Sequence, residues 1–524
     1  MSTLTKQRPT KVMDRFLTGV EKVGNKLPDP FMLFLILFTI TAVLSTVMAW
    51  MQVSVQLPGS ADATAIRGLF TPEGLSWITA NIGTNYLGFP PLATVLPILL
   101  AVGVAEKSGM LAAMIRKAFG SAPRWALPYA VGVVGVVGSI MADAAFVIIP
   151  PLAALVFKAA GRHPVAGLLG GFAAAGAGYS TNFLVTSLDA LFAGITTAVT
   201  DTMPNAGAAV TPVSNLFFNI VSSFVLMLLA GFIIDKVLEP RLTRQGVPTV
   251  ATDSEGSEVE AAETLNPELT PNEARALKFS VAAGVGLAAL MLVAVLLPDS
   301  PWRNEDGGFL PKSPLLSSIV FIVFSMFMIP GLVYGKLVGT IQRGSDVPKV
   351  MGESIRDMAG FLVLAFILGQ FIALFNWSGI GQWIAVTGAT GLEAIGLTGY
   401  PAILAFIVLA SLLNLFIISG SAMWTLMASV FVPLFVLLGY EPAFIQGAFR
   451  VGDSATQVIT PLNPYMIVLL TMLRKYEPQA GLGTLIARML PFVVPFWLAW
   501  VGILSVFFFL DLPLGPGNGI FLEP

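Results

Sequence analysis

Apolar runs about as long as a bilayer-crossing helix, roughly 20 residues, recur along the whole chain. Runs near 30–51, 85–105, 213–235, 279–297, 314–335, 358–376 and 491–510 each read as one crossing. Two further runs, 126–157 and 400–438, are too long for a single ordinary helix. Each is interrupted by small and polar residues, GSIMAD at 138–143 and GSAMW at 420–424. They read as helical hairpins with broken backbone at membrane depth, which is tolerated only against protein or a wet cavity. Two more crossings, 164–199 and one ending at Arg474 and Lys475, carry polar stretches in apolar surroundings: YSTNFLVTSLDAL at 179–191 and DSATQVITPLNPY at 453–465. The pattern predicts an all-α polytopic membrane protein of about nine transmembrane helices plus two re-entrant helical hairpins.

Charge orients these elements. Lys6, Arg8, Lys11, Arg15, Lys22 and Lys26 precede the first run, which has no convincing cleavage site, so it reads as an uncleaved first span with a cytoplasmic amino terminus. The basic loops with Lys107, Arg116, Lys117 and Arg124, with Lys236, Arg241 and Arg244, and with Lys336, Arg343, Lys349 and Arg356 then fall inside. The first hairpin is flanked by Arg124 on one side and Lys158 and Arg162 on the other, so it opens from the cytoplasm. The second opens from outside. The resulting partition is a cytoplasmic segment 1–29, a first membrane half 30–245, a cytoplasmic linker 246–277 rich in Glu, Thr, Pro and Ala, a second half 278–511 and an external tail 512–524. Trp377 and Trp383 suit a membrane interface.

The halves are related. GSIMADAAFVIIPPLAAL (138–155) aligns without gaps on GSAMWTLMASVFVPLFVL (420–437), GRHP (161–164) on GYEP (439–442), and STNFLVTSLD (180–189) on SATQVITPLN (454–463). Ser180 falls on Ser454, Thr186 on Thr460 and Asp189 on Asn463. With the opposite hairpin orientations this is an inverted repeat, a recurring plan of secondary transporters whose binding site lies at the interrupted segments. Ser, Thr and Asn at 180–189 and 454–463 satisfy backbone groups freed where a helix unwinds, and the two stretches are expected to face one cavity.

Composition narrows the chemistry. Hydrophobic residues make up 56% and charged residues 11% of the chain, and the net charge of −2 gives no hint of nucleic acid as a partner. There is no cysteine and one histidine, His163, which removes thiolate chemistry and multi-histidine metal sites. Four ionisable residues fall at membrane depth: Asp143, Asp189, Arg450 and Asp453. Such residues are costly and are functional candidates by default. Arg450 and Asp453, three apart on a helix, share a face and can pair. Asp189 has no evident partner in the sequence. Trp424 reads as packing or as a stacking surface for an aromatic substrate, Asp143 as a wet or capping tip residue, Glu106 and Lys107 as a boundary pair, and His163 as a loop residue.

AEKSGM (105–110), GRHPVAGL (161–168), AGYSTN (177–182), LDALFAGIT (188–196), FNWSGIGQWIAVTGAT (375–390), RVGDSATQVITP (450–461) and GLGTLIARMLP (481–491) resemble, in order, the p-aminobenzoyl-glutamate transporter (AbgT) family. The resemblance implies an elevator-type secondary transporter, a homodimer in the bacterial inner membrane with a basin open to the cytoplasm. Its implied cargo is p-aminobenzoyl-glutamate, related folate metabolites or sulfonamide antimetabolites, driven by an H⁺ or Na⁺ gradient and needing no other cofactor. It carries functional positions onto Asp189, Ser421, Trp424, Arg450, Asp453 and Pro461. Ala190 and Gln457 depart from the family pattern, where proline and asparagine are common.

The expected substrate contacts are Ser421, Trp424, Arg450, Asp453, Pro461, Ser180 and Asn182. The expected ion-coupling groups are Asp189, Asn182, Asp453, Asn463 and Thr460, with Asp189, Asn182 and Asn463 as candidate Na⁺ ligands. The readings kept beside this one are an ion-coupled carrier of another organic anion such as a dicarboxylate, a passive channel, and an intramembrane aspartyl protease suggested by Gly452–Asp453.

Overall fold

The structure, a computed structural model, describes residues 28–56, 63–120, 122–201, 203, 206–250, 268–305, 307–309, 313–417, 419–460 and 463–522. It is all-α apart from one two-residue antiparallel pair, Ser54–Val55 with Thr64–Ala65. Among the described residues, eight helices are long and apolar enough to cross a membrane. Their outer faces carry large apolar side chains, as on Pro271–Leu296, where Phe279, Val285, Leu290 and Leu296 are exposed. Such a contiguous apolar surface calls for lipid or another protein as its solvent.

Both over-long runs are broken in the middle. The first consists of Leu127–Gly138, a single 3₁₀ turn Ser139–Met141, and Asp143–Ala159. Ala142 makes the turn at φ 48°, a conformation that costs a non-glycine residue about 1–3 kcal/mol and needs surrounding structure to hold it. The second consists of Tyr400–Asn414 and Gly420–Leu437. Its break lies just before the GSAMW segment, which forms the first turn of the second arm. Ser419 caps that arm, its hydroxyl accepting from the Ala422 N–H at 3.3 Å.

After each hairpin comes a helix opened by proline, Pro164–Ala177 and Pro442–Gln457, both buried along their length. Each stops short, and after an irregular stretch a second helix continues, Ser187–Thr200 or Pro464–Arg474. The order of elements in the two halves is therefore the same. Ala174 and Gly452, each ten residues after its opening proline, occupy corresponding crossings with the first arm of their hairpins. Gly135 meets Ala174, and a Cβ on Gly452 would lie 2.6 Å from the Ile407 carbonyl. Small residues here let backbones approach closely, the packing that holds helices together in lipid.

Among the described residues five helices lie outside the crossings expected from the sequence: Pro72–Leu87, Met110–Gly120, Glu239–Arg244, Asp346–Asp357 and Ile380–Ala394. The linker ends earlier than 277, because Thr270 and Glu273 form a capping box that starts the next helix at Pro271. His163 is not a loop residue in water. It is the buried N-cap of Pro164–Ala177, its Nε2 lies 3.1 Å from the Val247 carbonyl, and its backbone N–H donates to Glu239. Trp377 stacks on Trp77 with centroids 4.7 Å apart.

Candidate functional site

The first irregular stretch is held by its own polar side chains. The Asn182 amide donates to the carbonyls of Val136 and Val137 at 2.9 and 3.2 Å and to the Ser139 hydroxyl at 3.0 Å. It thereby adds a donor, beside Ser139, to carbonyls at the end of Leu127–Gly138, where helical partners run out. Thr181 donates to the Asn219 carbonyl at 2.9 Å. Thr186 then caps Ser187–Thr200, and the carboxylate of Asp189 accepts from the Thr186 N–H at 2.7 Å and its hydroxyl at 2.8 Å, closing a capping box.

Asp189 also has an ionic partner. Arg450 Nη1 lies 2.7 Å from Asp189 Oδ1, and both side chains are 2% exposed. The expected Arg450–Asp453 pair is therefore replaced by a pair between the two halves. Arg450 further donates to the Ser180 carbonyl at 2.7 Å and to Asn215 Oδ1 at 3.1 Å, and its guanidinium sits 5.2 Å from the Phe192 ring centre. Asn219 donates to Asp189 Oδ1 at 3.0 Å. A buried charge is tolerated when paired and fully hydrogen-bonded, and here both partners are.

Asp453, three residues beyond Arg450, is the opposite case. It is fully buried, and neither carboxylate oxygen has a hydrogen-bond partner. Gln457 Oε1, one turn on in the same helix, and Asn414 Oδ1, at the end of the facing Tyr400–Asn414, are likewise buried without partners. The Asn414 amide nitrogen is engaged, donating to the Asp453 carbonyl and, at 3.0 Å, to Thr456. Thr460 donates to the Asn414 carbonyl at 3.2 Å. The aligned residues Ser180 and Ser454 meet, hydroxyl to hydroxyl.

Two adjoining cavities lie beside this ground, of about 460 and 690 Å³. Both are lined by Asp143, Tyr179, Leu188, Leu191 and Ser421, so both hairpins and the first irregular stretch contribute walls. Thr186, Ser187 and Ser139 line the smaller one, and Gln457, Asn463, Tyr465 and Phe146 the larger. The Tyr465 and Phe146 rings stack at 5.5 Å. First-turn residues of four helices, Asp143, Ser187, Gly420 with Ser421, and Pro464 with Tyr465, line these cavities. Helix amino termini carry partial positive charge and favour an anion nearby.

Of the expected contacts, Ser421 and Asn463 line a cavity. Ser180, Asn182, Asp189, Thr460, Arg450 and Asp453 lie in the packed protein beside them. Trp424 is fully buried, its indole N–H donating to Thr196 at 3.0 Å and its ring against Phe449 at 4.6 Å. In this conformation it faces packed protein. The side-chain oxygens of the three candidate Na⁺ ligands each accept a local hydrogen bond: Asp189 from Thr186 and Asn219, Asn182 from the Leu184 N–H at 3.3 Å and Asn463 from the Tyr465 N–H at 3.0 Å. Pro461 lies outside the described residues. Among the described residues no hydrogen bond links Asp453 to another carboxylate, the arrangement an aspartyl dyad requires. Asn215, Asn219, Asn414, Tyr179 and Tyr465 were not anticipated. Amides at 215 and 219, at the opening of an apolar run, were the available signal for two of them.

The profile of the AbgT transporter family matches residues 15–522. The chain belongs to the AbgT family. It is 36% identical over 498 residues to the p-aminobenzoyl-glutamate transport protein of Escherichia coli K12, covering 95% of each chain. The crystal structure of the Alcanivorax borkumensis YdaH transporter superposes with a TM-score of 0.86 at 36% identity, over 93% of this chain and all of that one. Neisseria gonorrhoeae MtrF, described within a class of antimetabolite efflux pumps, gives 0.85 at 35% identity, over 96% of this chain and all of that one. Within this AbgT fold the paired Asp189–Arg450 and the unpartnered Asp453 come from the two halves of the repeat.

Proposed function

We propose that this AbgT-family protein is a secondary active transporter of p-aminobenzoyl-glutamate or related folate metabolites and sulfonamide antimetabolites, coupled to an H⁺ or Na⁺ gradient. The observation that carries the reading is the pair of cavities between the hairpin tips, lined by four helix amino termini and by Tyr179, Tyr465 and Phe146. The amino termini suit carboxylates or a sulfonamide, and the rings suit an aminobenzoyl group. The cavity volumes match those that hold small organic ligands, about 300–1,000 Å³. The names carried by the Escherichia coli and Neisseria gonorrhoeae relatives support the same substrate class.

The coupling group on this reading is Asp453, a buried carboxylate that lacks the neutralising partner Asp189 has. Asn414 and Gln457 supply further oxygens of the kind Na⁺ takes, and a proton alone would equally neutralise the carboxylate. Arg450 acts by fixing the first irregular stretch to Pro442–Gln457, so that the cavity wall moves as one body in an elevator-type cycle. On this reading the amino terminus lies in the cytoplasm and the carboxyl terminus outside the bacterial inner membrane, an orientation the basic loops support. The functional unit is a homodimer, and the exposed apolar faces meet lipid and a second copy.

Radiolabelled p-aminobenzoyl-glutamate flux in proteoliposomes, with Na⁺ and H⁺ gradients imposed separately, tests this. One gradient should drive flux in the wild type, and Asp453→Asn should abolish the drive while leaving binding. Absence of flux under both gradients, in both directions and with sulfonamides tried, removes the substrate assignment. Flux that is equally gradient-driven in Asp453→Asn removes the coupling role. Preferential transport of a non-aromatic dicarboxylate would favour the rival anion carrier.

A further inference from the structure

We propose that Tyr179 is a gate between the substrate cavity and Asp453. This inference rests on the reading of Asp453 as the coupling group. Tyr179 follows directly on the end of Pro164–Ala177 and is half-buried, and its side chain lines both cavities. Behind it lies Asp453, fully enclosed, with two unpartnered oxygens. Gly420, at the start of the second arm of hairpin two, lines the larger cavity and joins the two. A Cβ built on Gly420 would lie 3.0 Å from the Tyr179 hydroxyl and 3.6 Å from Asp453 Oδ2. The hydroxyl and the carboxylate therefore both reach within 4 Å of one point, at a residue whose lack of a side chain leaves that point clear.

The arrangement has a cavity face and a protein face. On the cavity face Asp143 and Tyr465 stand near Tyr179, and on the protein face stand Asp453 and, one turn back, Arg450. An ion or proton moving between the cavity and Asp453 by way of Gly420 passes the Tyr179 hydroxyl. Rotation of the ring opens that way without unravelling a helix, since Tyr179 already lies beyond the last residue of Pro164–Ala177. A carboxylate left unpartnered in the interior is costly, and such a gate keeps it dry until the cavity holds its occupant.

Thiol labelling reads this directly, because the chain has no native cysteine. A water-soluble cationic methanethiosulfonate is applied to the detergent-purified dimer or monomer peak of Asp453→Cys, with Ser421→Cys as the cavity-lining reference. A barrier that is open about 0.1–10% of the time slows labelling about 10- to 1,000-fold. Asp453→Cys should therefore label at least about tenfold more slowly than Ser421→Cys. Adding Tyr179→Ala to Asp453→Cys should erase most of that difference, and adding Leu191→Ala, which trims another residue shared by both cavities, should not. Equal rates in the two single variants, no acceleration with Tyr179→Ala, or equal acceleration with Leu191→Ala would each overturn the gate. Wild-type proteoliposomes that show no gradient-driven flux would sink the coupling reading separately, since the labelling rates do not depend on transport.

Discussion

The two irregular stretches descend from one pattern and are chemically unlike. At 178–186 the freed backbone and the buried charge are met: Asn182 takes the hairpin carbonyls, Thr186 closes a capping box, and Asp189 is shared by Arg450 and Asn219. Beside the second stretch, Asp453, Asn414 and Gln457 keep buried oxygens without partners. The first stretch is thus a fixed joint and the second a place poised to accept something. The two copies of a broken helix differ because Arg450, from the second half, answers the carboxylate of the first and not its own neighbour.

The strongest way to break this contrast is to remove Arg450. Arg450→Ala leaves Asp189 buried beside Asn219 and Thr186 without its cation, and breaking one side of a buried pair typically costs about 3–5 kcal/mol. Thermal unfolding of the purified protein should fall sharply. Replacing both partners, Arg450→Met with Asp189→Leu, should return only part of that stability, because the Thr186 capping donors and the Asn219 amide then lack their acceptor, while transport stays lost. If Arg450→Ala melts like the wild type, the fixed-joint description is wrong. Asp453→Asn should behave in the opposite way. It removes a charge that has no partner to lose, so unfolding should stay within about 1 kcal/mol of the wild type or shift upward, since an unpaired buried charge is itself a cost. A melting loss as large as that of Arg450→Ala would show that Asp453 has a structural partner after all.

Much of this was legible in the chain. The hairpins followed from apolar runs too long for one helix, because a bilayer fixes helix length; GSIMAD marked the first break, while the second lies just before GSAMW and not within it. The alignment of Ser180 with Ser454 anticipated two residues that in fact touch. What was not legible was partner choice. Arg450 and Asp453 share a helical face by spacing, yet the hand-off to Asp189 depends on how Pro442–Gln457 packs on the first half, which no local rule encodes. Trp424 read as packing or as a stacking surface, and the choice depended likewise on tertiary packing: here Thr196, Phe192 and Phe449 enclose it. The helices Met110–Gly120 and Asp346–Asp357 have an apolar stripe and a polar face, so a search for long apolar runs passes over them.

A smaller effect sharpens the contrast at single amides. Asn219→Ala removes a donor to Asp189 and should lower stability by about 1–3 kcal/mol, the usual cost of leaving a buried acceptor short of a partner. Gln457→Ala removes an oxygen that has no hydrogen bond, and should cost less than Asn219→Ala in the same unfolding assay. Equal losses would mean that the second stretch is as fully bonded as the first.

The smallest effect concerns the caps that open the corresponding helices, His163 and Glu441. Each ties down chain from outside the repeat: His163 meets Val247, where the linker begins, and Glu441 accepts from Gly519 in the carboxyl-terminal tail. Burial lowers the pKa of His163 below its ordinary value of 6.5, against smaller opposing effects of the Val247 carbonyl, Glu239 and Glu477, and with Arg488 acting in the same direction as burial. A lowered folded-state value means the unfolded chain binds the proton more readily, so stability rises with pH. The contribution is complete above the ordinary histidine value and is lost as pH falls through it towards the folded-state value. Thermal unfolding between pH 7.5 and 5, a range of ordinary histidine titration, should therefore decline more steeply in the wild type than in His163→Gln, whose side chain does not titrate. Parallel pH profiles for the two proteins would show that the ring is not held neutral by its burial.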